Sequence, residues 1–389
     1  VTPSEVLGSL RAARARIDLD RLGENYRALT AFSPVPLIPV VKADAYGHGA
    51  AAVARELESL GAQRLAVAYV EEALALRQAG TKVPIVVLAA FGPGQVSVML
   101  EHGLTPVVST PRGVDWLLSV ARASGRRVDV HLKVDTGMTR LGLTPEQLEE
   151  AGQSLADSGL VDVEGLMTHL ASADESADVT GRQLDRFDEA LERLQRRGIR
   201  PPWVHAANSA GLSSLRPTHT LARPGLLLYG LRPRPLSPPV GVKPVMRVSA
   251  DVTLLKHVPA GTPVSYGGIW VAPRSSRVGT LPIGYADGVP RTDAMSRGGA
   301  FLVTNRRAPV IGRVCMDLTM VDLTDLPTAA EGTEAILFGD EPDAWDVAER
   351  AGTNAWAVLT SVGPRLPRVF VKHGRAISVD APLLPNFNG

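Results

Sequence analysis

Between residues 37 and 225 the chain repeats one pattern: a short apolar run, then a stretch with helical periodicity. The apolar runs fall at 37–42, 65–68, 85–89, 105–109, 128–134, 163–169, 203–207 and 220–224, which is eight. A short run covered on both faces suits a parallel strand, and parallel neighbours need a long crossover, which a helix supplies. The intervening stretches carry helix signals. Thr144-Pro145-Glu146-Gln147 reads as a capping box with proline at the first helical position, and Leu148, Ala151 and Leu155 follow on one face. Thr180-Gly181-Arg182-Gln183 opens another helix with the stripe Leu184, Phe187, Leu191 and Leu194, and Gly198 stops it. Eight strand–helix units predict an α/β fold, a (β/α)8 barrel of the TIM type.

After Gly230 the pattern changes. Residues 232–239 form a proline-rich connector. Short β-like runs follow at 245–254, 276–282, 300–303, 310–314, 319–321 and 334–338, punctuated by turn residues. The expected division is a barrel over 1–240, with an extra N-terminal strand at 15–19, and a C-terminal mainly β domain over 241–389. A length of 389 residues accommodates two domains. Lys+Arg number 41 and Asp+Glu 40, and this balance argues against a nucleic-acid or membrane-surface binder. The cluster Arg11, Arg14 and Arg16 reads as a solvated face. The uncharged stretch 83–100 contains Pro84, Gly92, Pro93 and Gly94, so it reads as strand, loop and helix and not as a membrane span. No signal-peptide core precedes the barrel, and the single cysteine, Cys315, allows no intrachain disulfide; both fit a cytoplasmic protein.

In such a barrel the working residues stand at the C-terminal ends of the strands. Lys42 ends the first, Lys133 and Arg140 flank the end of the fifth, and His169 ends the sixth. Asn208 and Ser209 follow the seventh, and Arg223 and Gly225 end the eighth. Any one of these has an ordinary structural reading: a strand-end lysine is usually a solvated charge, a lone histidine a satisfied core residue. Five strands delivering polar groups to one rim point instead to a site.

Four local sequences then carry a family resemblance. They are Val41-Lys42-Ala43-Asp44-Ala45-Tyr46-Gly47-His48-Gly49, Leu132-Lys133-Val134-Asp135-Thr136-Gly137-Met138-Thr139-Arg140, Gly284-Tyr285-Ala286-Asp287-Gly288 and Gly312-Arg313-Val314-Cys315-Met316-Asp317. In this order, over nearly the whole chain, they resemble the bacterial-type alanine racemases, pyridoxal-phosphate enzymes with a barrel and a β domain. The resemblance implies interconversion of L- and D-alanine by two bases, supplying D-alanine for peptidoglycan, in a homodimer with shared sites and without a metal. Lys42 would hold pyridoxal 5'-phosphate as a Schiff base, which requires a depressed lysine pKa. Tyr266, in Val264-Ser265-Tyr266-Gly267, would be the second base. Arg223 would face the pyridine nitrogen, with His169 beside the ring and linked to that arginine. Tyr46, Ser209 and the backbone N–H groups of Gly225 and Leu226 would take the phosphate, with Asn208 adjoining. Arg140 and the Met316 amide would hold the substrate carboxylate. Lys133 matches a lysine that often carries a carbamate; a free lysine paired to an acid such as Asp135 is the alternative.

One stretch departs from the family. Where members often have a Tyr-Glu pair near the end of the β domain, this chain has Trp356 and Ala357. That bears on the phosphate contact and on specificity for alanine. Competing readings are a broader amino-acid racemase, a same-fold decarboxylase and a non-catalytic pyridoxal-phosphate-binding protein. The decarboxylases usually place an acid at the pyridine nitrogen and use a glycine-rich phosphate loop that is not found here. The binding proteins are essentially lone barrels.

Overall fold

Proline decides how the barrel closes. The structure, a computed structural model, describes residues 10–381. Its first strand is β1 (Ala13–Asp18). The strands β2 (Leu65–Val67), β3 (Ile85–Val87), β4 (Leu104–Val108), β5 (Val128–Lys133), β6 (Val161–Met167) and β7 (Trp203–His205) then form one sheet. They pair in sequence order, every pair parallel, with helices between them. The expected first and eighth strands are present only as bridges, Val40 to Ala66 and Leu37 to Ala222. Pro36, Pro39 and Pro224 lack the N–H that a continuous ladder needs. The ring closes nonetheless. Val41 N–H donates to Ala66 O at 2.8 Å, Ile38 N–H to Ala222 O at 2.7 Å, and Val40 N–H to Pro224 O at 3.0 Å. On the other side Thr220 N–H reaches Val204 O and Arg223 N–H reaches Ala207 O, both at 2.9 Å. Eight segments therefore surround one interior, as in a (β/α)8 barrel.

The helix signals hold with one shift. Thr144 caps Pro145–Asp157 and Gln147 returns the bond, which completes the capping box. The helix expected from Thr180 instead starts at Ala177, because Ser176 accepts from Val179 N–H and sets the N-cap earlier. Its buried stripe, Leu184, Phe187, Leu191 and Leu194, is the expected one.

The rest of the strands are β8 (Met246–Asp251), β9 (Leu254–Val258), β10 (Pro263–Val264), β11 (Trp270–Val271), β12 (Ser276–Leu281), β13 (Ala300–Val303), β14 (Arg306–Pro309), β15 (Thr319–Asp322), β16 (Glu334–Phe338), β17 (Arg368–Lys372) and β18 (Arg375–Asp380). Seven strands form one sheet in the order β14-β13-β16-β8-β1-β17-β18. The N-terminal strand thus joins this sheet and not the barrel. β1 runs antiparallel to β8 and parallel to β17, and Ala13, Ala15 and Ile17 are buried on it while Arg14, Arg16 and Asp18 alternate with them. The run at 310–314 is no strand; Val310 makes a single bridge to Val321. The chain accordingly divides into two compact units. One comprises residues 23–45 and 50–242, and the other comprises residues up to 22, 46–49 and those from 243 onward.

Candidate active site

Lys42 follows the first barrel segment and begins a helical turn, Lys42–Gly47. The turn is left-handed: Ala43, Asp44, Ala45 and Tyr46 have φ of 53°, 55°, 54° and 55°. L-residues resist this conformation by about 1–2 kcal/mol each. Local bonds hold it. Ala45 N–H donates to Val41 O at 2.9 Å, and Asp44 Oδ1 accepts from Ala50 N–H at 2.7 Å. Glu72 accepts from the N–H groups of Ala43, Ala68 and Tyr69 at 2.5, 2.7 and 3.0 Å. Burial first, and then the Arg140 charge, hold the Lys42 ammonium below its ordinary value; Glu72 opposes and Arg223 adds to the shift. A lysine so placed yields its free amine more readily than one in water.

Lys133 ends β5 and is 4% exposed. Its ammonium has no hydrogen-bond or ion-pair partner among the described residues. Burial, then Arg223 and Arg140, push its pKa down to about 8, with Asp135 opposing and Lys42 adding. The register that sets Val108 beside Leu132 brings Ser109 next to Lys133, and the buried Ser109 Oγ lacks a hydrogen-bond partner. Asp135 Oδ1 instead shapes the following loop, accepting from Gly137, Met138 and Thr139 N–H at 2.9, 3.0 and 3.1 Å. That loop presents Arg140, which is exposed and has no polar partner among the described residues.

His169 stands two residues beyond β6 and is half-buried. Burial, then Arg223 and Arg140, drive its pKa well below 6.5, so it is neutral. The expected link from His169 to Arg223 is not formed: the histidine on Arg223 is His205, whose Nδ1 lies 2.5 Å from Nη1. Arg223 itself is 3% exposed. Nη1 also donates to His205 O at 2.8 Å, and Nη2 donates to Thr168 O at 2.8 Å and Ala206 O at 3.2 Å. Four acceptors match the four Nη hydrogens, so Nε–H is the one donor left.

Ser209 Oγ accepts from Gly225 N–H at 2.9 Å and Leu227 N–H at 3.3 Å. Two donors on one oxygen leave its own O–H to be donated. Leu226, between them, begins a 3-10 turn, Leu226–Tyr229. Asn208 Oδ1 accepts from Gly211 N–H at 2.9 Å and so shapes the adjoining turn. Lys42, Lys133, Arg140, His169, Asn208, Ser209, Arg223, Gly225 and Leu226 thus all belong to the barrel unit.

Tyr46, Tyr266, Met316 and Trp356 belong to the other unit. Burial holds the Tyr46 phenol up at about 12, so it stays a neutral donor. Tyr266 is 63% exposed and Met316 51%. Ser265, at φ 64°, places the tyrosine, and its Oγ donates to Arg313 O at 2.6 Å. The Gly284–Gly288 motif packs on the Cys315-Met316 motif: Tyr285 N–H donates to Cys315 O at 3.0 Å and Ala286 N–H to Met316 O at 3.1 Å. A Cβ on Gly284 would meet Met316 O at 2.3 Å, so only glycine allows that approach. Trp356 packs edge-to-face on Trp345 with centroids 5.3 Å apart. Sequence reading passed over His205, His131, Glu164 and Arg64. The available signal was spacing: His131 lies two residues before Lys133 on one strand and so shares its face.

Comparison with known proteins matches both units. The family model "Alanine racemase, N-terminal domain" covers residues 17–233, and "Alanine racemase, C-terminal domain" covers residues 245–370. An alanine racemase of Desulfovibrio desulfuricans is 41% identical over 370 residues, 93% of this chain and 99% of that protein. Among solved structures, an alanine racemase from a D-cycloserine-producing Streptomyces lavendulae matches with TM-score 0.87 and 38% identity, over 94% of this chain and 98% of that one. The Bacillus anthracis alanine racemase with bound L-Ala-P matches with TM-score 0.89 and 33% identity, over 97% and 99%.

Proposed function

The chain belongs to the alanine racemase family, and we propose that it interconverts L- and D-alanine with pyridoxal 5'-phosphate carried on Lys42. The observation that carries this reading is the donor left on Arg223. With both Nη groups engaged by His205, Thr168 and Ala206, the remaining Nε–H suits a pyridine nitrogen that accepts and stays unprotonated. A carboxylate there would favour the protonated ring of a decarboxylase. The free O–H of Ser209, the Leu226 N–H and the neutral phenol of Tyr46 suit a phosphate.

When bound, the cofactor supplies the electron sink that lets the substrate Cα release its proton. Lys42 Nζ, its proton affinity lowered by burial and by Arg140, takes or returns that proton on one face. Tyr266 Oη serves the other face. Arg140 holds the substrate carboxylate as an ion pair, with the Met316 N–H assisting. Donation from Arg223 without transfer of its proton keeps the sink moderate, which restrains transamination. His169 is neutral and orients the ring. Exposure of Tyr266 and Met316 on the second unit supports a homodimer in which they serve the barrel of a second copy.

Lys133 is the site for a carbamate. Its amine adds to the carbon of CO2 and releases a proton, which replaces a positive charge with a negative one beside Arg140 and Arg223. The unpartnered Ser109 Oγ would donate to it. Such an enzyme serves D-alanine supply for peptidoglycan in the cytoplasm. A racemisation assay in both directions over an amino-acid panel tests the reading. Alanine should lead the panel, and Lys42→Ala should abolish both turnover and the visible absorbance of the bound cofactor. Retention of both in that variant, or a wild-type preference for another amino acid, would overturn it.

A further inference from the structure

Below the rim, five side chains of the barrel unit join end to end. Arg223 Nη1 meets His205 Nδ1 at 2.5 Å. His205 Nε2 meets His131 Nδ1 at 2.7 Å. His131 Nε2 meets Glu164 Oε1 at 3.2 Å, and Arg64 grips Glu164 bidentately at 2.9 and 3.2 Å. Both imidazoles are 0% exposed. The strand register makes room for them: Gly165 pairs with His131, and a Cβ there would lie 2.4 Å from the ring. At the far end the Arg64 guanidinium lies over the Trp203 ring at 5.0 Å.

One constraint fixes every proton in this line. Arginine donates and never accepts. His205 Nδ1 must therefore be bare, and its single N–H sits on Nε2. That N–H donates to His131, so His131 Nδ1 is bare as well. The His131 N–H then sits on Nε2 and faces a carboxylate, which only accepts. A cationic His131 would set one N–H against another at His205, and a cationic His205 would do so at Arg223. Burial, which lowers both imidazole pKa values, favours the same neutral pair.

Arg223 is buried without a carboxylate among its hydrogen-bond acceptors, which are an imidazole and three carbonyls. Two imidazoles connect it to Glu164, which is itself paired with Arg64. Each acceptor in such a chain is strengthened by the next. We propose that His131 and Glu164 are positioning residues for the reaction: they lock His205 in the one tautomer that can accept from Arg223, and so keep Arg223 Nε–H as the donor offered to the cofactor ring. The proposal rests on the reading of Arg223 as the partner of the pyridine nitrogen. Removing the Glu164 acceptor would leave a buried N–H unsatisfied on His131. Moving that proton to Nδ1 forces the His205 proton onto its own Nδ1, where it opposes Arg223.

The test is the ring 15N spectrum of histidine-labelled holoenzyme, with signals assigned by single His→Gln variants among the eight histidines. Both His131 and His205 should be neutral with N–H on Nε2 from about pH 6 to 8.5. A wild-type His205 protonated on Nδ1 overturns the proposal without any variant. Glu164→Gln keeps an acceptor oxygen, so both tautomers should persist and kcat should stay within about threefold. Glu164→Leu should scramble the His205 tautomer, shift the absorption band of the bound cofactor, and lower kcat about tenfold or more with KM nearly unchanged. A merely structural role would reduce stability and leave tautomers and band as in wild type, and that outcome refutes the proposal. If Glu164→Leu does not fold, the wild-type spectrum and Glu164→Gln decide. The tautomers are read without turnover and in the apoenzyme too, so correct tautomers without racemisation would refute the functional reading and leave the hydrogen-bond line standing.

Discussion

Lys133→Met removes a buried ammonium while nearly keeping its volume. In the folded chain Lys133 gives up its proton near pH 8; in the unfolded chain it does so near 10.5. Below pH 8 both states are charged, and folding bears the whole cost of burying the cation. Between pH 8 and 10.5 the folded amine is neutral while the unfolded one still binds a proton, so stability rises with pH across that window. The displacement from 10.5 to about 8 corresponds to about 3 kcal/mol, at roughly 1.4 kcal/mol per pH unit. The assay is urea unfolding of wild type and Lys133→Met apoenzyme at several pH values, in CO2-free buffer. Taking the difference between the two proteins cancels the other titrating groups. At pH 7 the methionine variant should be the more stable, by up to about 3 kcal/mol less any packing loss. The gap should close between pH 8 and 10.5. Added bicarbonate should stabilise wild type at pH 8 and leave the variant unchanged, because only the lysine can form a carbamate. A gap that does not vary with pH would refute the charge argument; no response to bicarbonate would refute the carbamate.

Three other outcomes test the division of labour. Mixing inactive Lys42→Ala and Tyr266→Ala subunits under exchange conditions should restore partial racemisation, because hybrid dimers regain one intact site; no recovery despite proven exchange counts against shared sites. Tyr266→Phe should suppress α-proton exchange from L-alanine far more than from D-alanine, read as deuterium wash-in at single-turnover times, and equal loss would remove the assignment of faces. Trp356→Tyr should tighten pyridoxal phosphate about tenfold if a phenol adds one charge-assisted hydrogen bond, measured by titrating the apoenzyme; unchanged affinity would assign Trp356 to its packing against Trp345 alone.

The barrel was legible because its strands and helices carry different periods, and because Thr144 and Gln147 form the capping box their spacing announces. Its seam was less so. Pro39 and Pro224 sit in apolar runs that read as strands and Pro36 just precedes one, yet each removes a ladder donor. β1 could not be assigned to a sheet from its own alternation, since its partners β8 and β17 lie over 200 residues downstream. At the site, strand-end positions marked Lys42, Lys133 and Arg223. The left-handed turn after Lys42 was hidden, because the alanines on either side of Asp44 carry no signal for positive φ and Ala43 is held by Glu72, which a sequence window does not contain. The misassigned partner of Arg223 has a similar cause. His169 closes the expected run 163–169, where chemistry is expected, while His205 falls inside the expected run 203–207 and reads as core, although β7 ends at it.

Charge pairing at the rim sets Lys133 apart from its neighbours. Arg140 and Arg223 lower the proton affinity of Lys42, Lys133 and His169, and Lys42 adds to the shift of the last two. The acids that oppose them, Glu72 and Asp135, already accept three backbone N–H groups each. In the proposed reaction Lys42 is joined to the cofactor and Arg140 meets the substrate carboxylate. Arg223 is met by an imidazole and three carbonyls, and the phosphate is met by hydroxyls and N–H groups. Among the described residues, only Lys133 of these buried cations then has neither an anionic counterpart nor a hydrogen-bond acceptor. A buried cation without either resolves its position in two ways: it releases its proton, or it changes sign by taking up CO2. Release alone leaves Arg140 facing a neutral amine. Uptake gives Arg140 a negative neighbour that fixes its guanidinium before substrate arrives. Enzyme assayed in CO2-free buffer should therefore show a raised KM for alanine more than a lowered kcat, and bicarbonate should reverse it. A change confined to kcat would mean that Lys133 acts elsewhere than on the substrate carboxylate.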